Sequence, residues 1–426
     1  MKKRVALLTL GCKVNQYEST AILEMLKAAG WQEVDFHEEA DAYLVNTCTV
    51  THIGDRKSRQ MLRRAARRNP QAIIAALGCY AQVAPEELAA LPEIDLVLGN
   101  GDKNRLPEIL AGLVKGKKEI IVHPRSELQE FEEFPAVAST CRTRAFLKIQ
   151  EGCNNFCSYC IIPYARGSLR SRDPQRALAE SRQLVAEGFK EIVLTGIHTG
   201  AYGQEKPGSW HLADLLRQMR TIPGLKRLRL SSLEPMDCNA EIIELLAEGQ
   251  PFCPHLHIPL QSGSDAVLRQ MHRHYNCREF AQLVANIRQK IANAALTTDV
   301  IVGFPGETEE QFAESCQFIR QMGFAALHVF KYSPRQGTLA AGFPHQVPEE
   351  TKEERSRRLL KLAAELRQNY AQDFVGQSLS VLVEEEAKPG WWQGFTPNYL
   401  KVIFPGSSAD QGKILSIKIR DWQEGF

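Results

Sequence analysis

A short apolar run followed by a longer stretch of helical polarity recurs through most of this chain. That alternation restricts the fold more than any other feature. Before residue 80 the runs are Val5 to Leu10, Tyr43 to Val45 and Ala72 to Leu77, and a fourth, Asp95 to Leu98, ends in Gly99-Asn100-Gly101. Stretches such as Tyr17 to Ala29, Arg56 to Arg68 and Pro85 to Ala90 read as helices. Strands alternating with helices predict a parallel sheet, in which ligands gather beyond the carboxyl ends of the strands. Cys12, Cys48 and Cys79 each follow one of these runs closely.

The alternation restarts after an acidic stretch, Ser126 to Val137, which reads as a linker. Strand-like runs are Ala145 to Ile149, Glu191 to Thr195, Arg227 to Ser231, His255 to Leu260, Thr298 to Val302 and Ala326 to Lys331. Helical stretches such as Pro174 to Gly188 and Arg278 to Ala292 lie between them. Six parallel strands predict an open, partial barrel with function on one rim. After a charged helical run, Glu349 to Phe374, the tail changes character. Val381 to Val383, Tyr399 to Ile403 and Ile414 to Ile419 read as short strands, with turns at Gly394, Pro397-Asn398, Pro405-Gly406 and Gly412. That is a small antiparallel barrel, an architecture often used for nucleic acid. The expected class is therefore α/β, in three parts: residues 1–125, a parallel α/β domain; 138–370, a (β/α)6 partial barrel; and 372–426, the small barrel.

A length of 426 residues agrees with two or three domains, and a net charge of +2 makes any nucleic-acid surface a local patch. The eleven cysteines are odd in number and widely spread, which suits a reducing cytosol better than a disulfide scaffold. Met1-Lys2-Lys3-Arg4 and the apolar run after it imitate a signal peptide, but the run is too short and Lys13, Asn15 and Gln16 follow at once. No apolar run reaches the roughly 18 residues of a membrane span. The expectation is a soluble, cytoplasmic protein.

The sharpest local signal is Cys153-Asn154-Asn155-Phe156-Cys157-Ser158-Tyr159-Cys160, three thiols on the loop after a predicted strand. A structural zinc site would want a fourth ligand, and Cys141 lies at the wrong end of the strand. Three thiolates suit a cubane iron–sulfur cluster with one iron left open. Zinc and unligated thiols are the alternatives.

The C-x3-C-x2-C spacing, with Tyr159 before the last cysteine, resembles the radical S-adenosylmethionine superfamily. The resemblance implies that the open iron holds the amino and carboxylate groups of S-adenosylmethionine, and that reduction cleaves this cofactor to a 5′-deoxyadenosyl radical. Over essentially the whole chain, the order of three early cysteines, this centre and a small terminal barrel resembles the methylthiotransferase family. The matching motifs are Thr9-Leu10-Gly11-Cys12-Lys13-Val14-Asn15-Gln16-Tyr17-Glu18, Val45-Asn46-Thr47-Cys48, Gly78-Cys79, Cys160-Ile161-Ile162-Pro163-Tyr164-Ala165-Arg166-Gly167, Leu260-Gln261-Ser262-Gly263-Ser264 and Tyr332-Ser333-Pro334-Arg335. The family implies two 4Fe-4S clusters. Cys153, Cys157 and Cys160 would hold one. Cys12, Cys48 and Cys79 would hold the auxiliary one, which carries the sulfur or methylthio group; the bland alternative for these three is buried strand-end cysteine. One S-adenosylmethionine methylates that sulfur and a second gives the radical.

By the same resemblance, Thr195 and Gly196 lie beside the methionine moiety of the cofactor, Gln261 and Ser262 at its ribose, and Val302, Pro305 and Tyr332 around its adenine. Glu234 reads either as a hydrogen-bonding partner of cofactor or substrate or as a helix-capping carboxylate. His198 lies on the same rim. His255 and His257 are expected to pack or hydrogen-bond, and Cys141, Cys238, Cys253, Cys277 and Cys316 to serve as small buried hydrophobes.

The run Arg56 to Arg68 holds seven basic residues and no acid, and Arg56, Arg59, Arg63 and Arg67 share a helical face. Either that face is merely solvated or it meets a phosphate backbone. The tail offers Trp391, Trp392, Phe395 and Tyr399 with Lys388 and Lys401, rings that serve either a barrel core or stacked bases, and it resembles the TRAM domain of RNA-modifying enzymes. The implied partner is a tRNA anticodon loop, whose bases can be splayed out, together with a reducing electron donor and a sulfur donor. Gly11-Cys12-Lys13-Val14-Asn15-Gln16-Tyr17-Glu18 resembles the branch acting at carbon 2 of N6-threonylcarbamoyladenosine. The competing substrates are isopentenyladenosine in tRNA and a ribosomal-protein aspartate. From another class, the competitor is a non-catalytic iron–sulfur RNA-binding sensor.

Overall fold

The structure is a computed structural model and describes residues 2–135 and 143–420. The chain divides into two compact units. The first comprises Met1–Val137, Lys148–Arg172 and Ser333–Ala341; the second comprises Ala138–Leu147, Asp173–Tyr332 and Gly342–Phe426.

The first unit begins with β1 (Arg4–Thr9), α1 (Lys13–Ala28), β2 (Gln32–Glu33), β3 (Ala42–Thr47), α2 (His52–Arg68) and β4 (Ile73–Gly78). It continues through α3 (Cys79–Val83), α4 (Pro85–Ala89), β5 (Leu96–Leu98), α5 (Leu106–Gly112) and β6 (Glu119–Ile121). The six strands form one parallel sheet in the order β2-β1-β3-β4-β5-β6. Both faces are covered, so β3 is buried along its whole length, with Tyr43, Leu44 and Val45 at its apolar centre. The order reverses between β1 and β3, and a crevice opens at such a switch point. Helix α1 presents Val14, Tyr17, Ala21 and Ile22 to the core, and Glu18 lies buried in the same stripe.

The segment Ser126 to Val137 departs from its linker reading. Its composition is acidic, but Leu128 and Phe134 are buried, and the Phe134 ring meets Tyr17 edge-on at 6.2 Å. Glu133 pairs with Arg172 at 2.8 Å. Two apolar anchors and one ion pair suffice to hold it against the unit; its last two residues lie outside the described part.

The barrel begins with β7 (Arg144–Lys148). Then come β8 (Gln150–Glu151), α6 (Ile162–Arg166) and β9 (Arg170–Ser171), which belong to the first unit. The second unit continues with α7 (Pro174–Ala186), β10 (Glu191–Thr195), α8 (Leu212–Arg220), β11 (Arg227–Leu230), α9 (Ala240–Ala247) and β12 (His255–His257). It goes on through α10 (Asp265–Gln270), α11 (Cys277–Lys290), β13 (Ala295–Val302), α12 (Glu309–Met322), β14 (Ala326–Lys331) and α13 (Glu349–Gln372). The strands form two sheets, β11-β10-β7 and β12-β13-β14, joined by parallel bridges Leu228–Phe252 and Ser232–His257. This is the expected six-stranded partial barrel. Its outer side is buried under helices, whereas His328 and Phe330 on β14 are exposed.

The tail is β15 (Ser378–Lys388), β16 (Trp391–Phe395), β17 (Lys401–Pro405) and β18 (Ile414–Lys418), an antiparallel curled sheet in the order β17-β16-β15-β18. It encloses Val381, Val383, Trp392, Val402 and Phe404 against Phe374 at the end of α13. Gly394, expected in a turn, lies inside β16 paired with Val383. A Cβ there would fall 2.2 Å from the Leu382 carbonyl oxygen, so glycine marks close strand crossing rather than chain reversal.

Candidate active site

Cys12, Cys48 and Cys79 follow β1, β3 and β4, three adjacent strands in register: Thr9 lies opposite Asn46, and Thr47 opposite Gly78. The polar residues of their motifs stitch these strand ends together. Asn15 Nδ2 donates to the carbonyls of Leu10 (2.7 Å) and Thr47 (3.0 Å). Asn46 Nδ2 donates to the Asn15 carbonyl and to Ser19 Oγ, and Thr47 Oγ1 donates to the Leu77 carbonyl at 2.6 Å. Gly11 has φ +100°, and a Cβ there would lie 2.9 Å from Cys48 Cβ and 3.1 Å from its Sγ. The turn before Cys12 therefore has to be glycine, both for its left-handed backbone and to leave Cys48 room.

Cys12 is exposed, Cys48 half-buried and Cys79 buried, so the trio runs from an open mouth inward. Burial first, then the neighbouring Cys79 and Cys12, pushes the Cys48 thiol up to about 12. A bound cation is what would make it a thiolate. Among the described residues, only His257, Asp299 and His328 bring three ligand atoms within 4.8 Å of one another. Neither cysteine trio is closed to the roughly 3.8 Å between sulfurs that a single tetrahedral zinc imposes. Three thiols without a fourth protein ligand are a donor set that fits an iron–sulfur group.

The second trio lies in the same unit. Cys153 follows β8, and its N–H donates to the Gly167 carbonyl at 3.1 Å, while the Cys160 N–H donates to Cys157 O at 2.9 Å. Gly152 has φ +72°, and a Cβ on it would sit 1.8 Å from the Ser168 carbonyl oxygen. Phe156 also adopts a left-handed φ of 44° and packs edge-on against Tyr164, with the Arg125 guanidinium 4.8 Å from its ring. Cys157 is buried, and Cys153 and Cys160 are half-buried.

A buried charge network fills the space next to both trios. Glu18 accepts from Lys103 (2.5 Å), Lys148 (3.1 Å) and Arg166 (2.6 Å). Glu151 accepts from Lys148 (2.8 Å) and Arg166 (2.5 Å). Arg166 Nε reaches Cys79 Sγ at 3.1 Å, and Asn100 Nδ2 lies 3.7 Å from the same sulfur. Burial alone would raise the Glu18 pKa, but Arg166, Lys103 and Lys148 outweigh it and hold the carboxylate well below its usual range.

The sequence reading gave these residues no role, yet it contained a signal. A carboxylate in the apolar stripe of α1 and a lysine in the strand-like run Ala145 to Ile149 are buried charges that require partners. Arg335 ends the Tyr332-Ser333-Pro334-Arg335 motif. It donates to Thr49 Oγ1 (2.6 Å) and pairs with Asp55 (2.6 Å), which bonds the Ser333–Ala341 segment to the loop after Cys48.

The residues expected at the cofactor all lie on the second unit. Thr195 ends β10 and is buried, with Gly196 next to it. Gln261 has φ +66° and bridges to Val300. Ser262 Oγ bonds Ser315 Oγ at 3.1 Å and accepts the Ser264 N–H, so its hydroxyl is engaged in holding the loop. Val302 ends β13 and its carbonyl accepts the Tyr332 N–H at 2.9 Å, and Pro305 lies in the turn that follows. The Tyr332 hydroxyl is buried without a hydrogen-bond partner, and burial pushes its pKa up to about 12.

Other expectations divide. Glu234 pairs with Arg273, and His198 with Asp237 at 2.6 Å. His255 and His257 both hydrogen-bond Thr297 Oγ1, and His257 also faces Asp299 at 3.3 Å. Cys238 and Cys253 are buried; Cys277 and Cys316 are only half-buried, because each lies on a helix face partly open to solvent; Cys141 lies outside the described residues.

Helix α2 starts at a Thr51 cap whose Oγ1 accepts the Gly54 N–H. Arg56, Arg59, Arg63 and Arg67 line one groove with Gln60. Arg59 is paired, with Glu87 at 2.7 Å and with the Tyr80 hydroxyl, so the sequence window missed an acid supplied by α4. Arg56, Arg63 and Arg67 are exposed. In the tail, Trp391 is 38% exposed under Lys388 and shares a groove with Lys401. Trp392 is core. Phe395 and Tyr399 stack on each other at 4.9 Å and on Arg144, and Tyr399 also stacks on His255 and Arg229. Those two rings dock the tail onto the barrel and are not a platform for bases.

Three family models match the chain: Uncharacterized protein family UPF0004 over residues 4–99, Radical SAM superfamily over 147–319 and TRAM domain over 372–426. A threonylcarbamoyladenosine tRNA methylthiotransferase, MtaB, of Bacillus subtilis (strain 168) is 46% identical, over 97% of this chain and 93% of its own length. A tRNA-2-methylthio-N(6)-dimethylallyladenosine synthase of Caldicellulosiruptor saccharolyticus is 37% identical, over 91% of this chain and 83% of its own. Among solved structures, a radical S-adenosylmethionine methyltransferase, TsrM, from Kitasatospora setae superimposes with a TM-score of 0.55 at 16% identity, covering 92% of this chain and 81% of that one. At that identity the likeness is one of fold.

Proposed function

The chain belongs to the radical S-adenosylmethionine methylthiotransferase family, and we propose that it adds a methylthio group to carbon 2 of N6-threonylcarbamoyladenosine beside the anticodon of tRNA. The observation that carries this reading is identity along nearly the whole chain: 46% to a relative bearing that activity in its name, against 37% to one named for the dimethylallyl substrate. The radical SAM domain implies a 4Fe-4S cluster and S-adenosylmethionine, and the TRAM domain and relatives imply a tRNA substrate.

In this reading Cys153, Cys157 and Cys160 hold the cluster that binds S-adenosylmethionine, and Cys12, Cys48 and Cys79 hold the auxiliary one. When bound, the clusters supply an electron to cleave the cofactor and a site for the sulfur to be transferred. The chain's own residues do the rest. The strand-end hydrogen bonds of Asn15, Asn46 and Thr47 fix the mouth at which Cys12 stands open. Gly196, Gln261, Ser262, Val302, Pro305 and Tyr332 shape the cofactor's rim, Gln261 and Val302 through backbone positions and Tyr332 through a hydroxyl awaiting a partner. Arg56, Arg63 and Arg67 neutralise phosphates, and Trp391 with Lys401 receives an exposed base. A reducing electron donor and a sulfur donor complete the cycle, in a cytosol that keeps the thiols reduced.

Nucleoside mass spectrometry of tRNA from a strain lacking the gene tests the assignment. Loss of the methylthio group from threonylcarbamoyladenosine is expected. Loss from isopentenyladenosine, or intact tRNA with an unmodified ribosomal-protein aspartate, would move the protein to another branch. A purified, reduced protein that yields no 5′-deoxyadenosine from S-adenosylmethionine would make it a binding protein instead.

A further inference from the structure

The three thiols of the auxiliary site are not equivalent. Cys12 is exposed at the mouth and Cys48 lies against Gly11, whereas Cys79 is buried and receives two N–H donors: Arg166 Nε at 3.1 Å and Asn100 Nδ2 at 3.7 Å. The Arg166 guanidinium is fully buried and its plane is fixed from three sides. It donates to Glu18 Oε1 (2.6 Å), to Glu151 Oε1 (2.5 Å) and to Asn15 Oδ1, which leaves Nε aimed at the sulfur.

The buried charges around it do not balance among themselves. Lys103, Lys148, Arg166 and Arg170 face Glu18 and Glu151. A third carboxylate, Glu132, has one buried oxygen without a partner, and burial raises its pKa. Buried cations in excess favour a neighbouring anion, and Arg166 is the one of these four that reaches Cys79. A thiolate-ligated cluster is such an anion.

The position of Arg166 in the chain adds a second consequence. It ends α6, the short helix that leaves the Cys153–Cys160 loop, and the Ala165 carbonyl in the same turn accepts from Asn100 at 2.7 Å. The segment carrying one trio therefore terminates on the other.

Building on the auxiliary-cluster reading, we propose that Arg166 is a positioning residue for that cluster: its Nε–H holds the Cys79 sulfur and raises the reduction potential of the centre, and the helix it ends ties the loop of Cys153, Cys157 and Cys160 to the auxiliary site. Donors to cluster sulfurs and nearby positive charge both favour the reduced state.

The test uses the full chain carrying Cys153→Ala, Cys157→Ala and Cys160→Ala, reconstituted anaerobically so that only the auxiliary cluster can form. Iron is counted, and the midpoint potential is measured by EPR-monitored titration, before and after adding Arg166→Gln or Arg166→Lys. The expected result is about four irons per chain in the parent, a lower midpoint in Arg166→Gln, and a smaller drop in Arg166→Lys, which keeps the charge but not the fixed Nε–H. Equal midpoints in all three overturn the proposal. Should Arg166→Gln not hold iron, Arg166→Lys and ENDOR of the parent labelled with 15N-arginine decide. A 15N coupling to the cluster upholds the proposal and its absence overturns it. A parent that binds no iron overturns the auxiliary-cluster reading itself, and this inference with it.

Discussion

Cys48 directly follows β3, whereas Cys157 lies six residues beyond the end of β8, and the proposed function gives the two thiols different work. Cys157 belongs to the motif that also matches the radical SAM superfamily, whereas Cys48 follows β3 of the α/β sheet. Cys157→Ala is therefore expected to abolish 5′-deoxyadenosine formation, measured by chromatography after anaerobic reduction with S-adenosylmethionine. Cys48→Ala is expected to keep cofactor cleavage and lose methylthio transfer. Full transfer by Cys48→Ala would remove the second cluster from the account. A chelator under reducing conditions should abolish both, because in the proposed reading each reaction needs iron held by thiolates.

At the scale of elements, two sets of arginines are placed differently: those of the basic run on α2 lie largely at the surface, whereas those of β11 are buried. On α2, Arg56, Arg63 and Arg67 are exposed while Arg59 is committed to Glu87 and Tyr80. Replacing the three exposed ones with alanine is expected to lower the salt-dependence slope of tRNA binding by about 2 to 3, near 0.7–0.9 per lost phosphate contact. Arg59→Ala should change it least. Fluorescence anisotropy across a potassium chloride series reads this directly.

On β11 the arginines serve structure. Arg229 Nε donates to Glu191 at 2.6 Å and its other nitrogens reach the carbonyls of Thr396 and Pro397, while Arg227 reaches Ser380 and Phe395. Arg229→Ala removes the nearest of the buried partners of Glu191, leaving it Arg227 at 3.4 Å, and should cost about 3 kcal/mol in chemical denaturation. Burial alone would raise the Glu191 pKa, but Arg229, Arg144 and Arg227 outweigh it and hold it below the usual carboxylate range. Its contribution is thus complete above about pH 4.3, the unfolded value, and fades as pH falls through the folded one. Glu191→Gln should flatten that acid limb of the stability profile.

For the whole molecule, what the sequence disclosed and what it hid follow one rule. Local pattern located the early sheet because a parallel strand buried on both faces is apolar along most of its length, and located the barrel strands as short apolar or alternating runs between helical stretches. Strand-end position then placed Cys12, Cys48 and Cys79 together. The tail was read less well: β15 is polar at one end and exposed there, so only its buried centre, Val381 to Val383, looked like a strand. Partners distant in sequence were not legible at all. Glu18 and Arg166 lie 148 positions apart, and no local pattern reports a contact of that separation. The same long-range pairing makes the first unit discontinuous. A fragment of residues 1–125 retains all three auxiliary cysteines and the sheet that carries them, but it leaves Glu18 with Lys103 alone and Cys79 without Arg166. An isolated buried pair of that kind barely offsets its desolvation. The fragment is therefore expected to melt well below the full chain and to keep little iron after reconstitution, whereas the full chain with Cys153, Cys157 and Cys160 replaced by alanine keeps its auxiliary iron. Equal iron per chain in the two proteins would show that the early sheet builds the site unaided, and that the network around Arg166 tunes what it does not assemble.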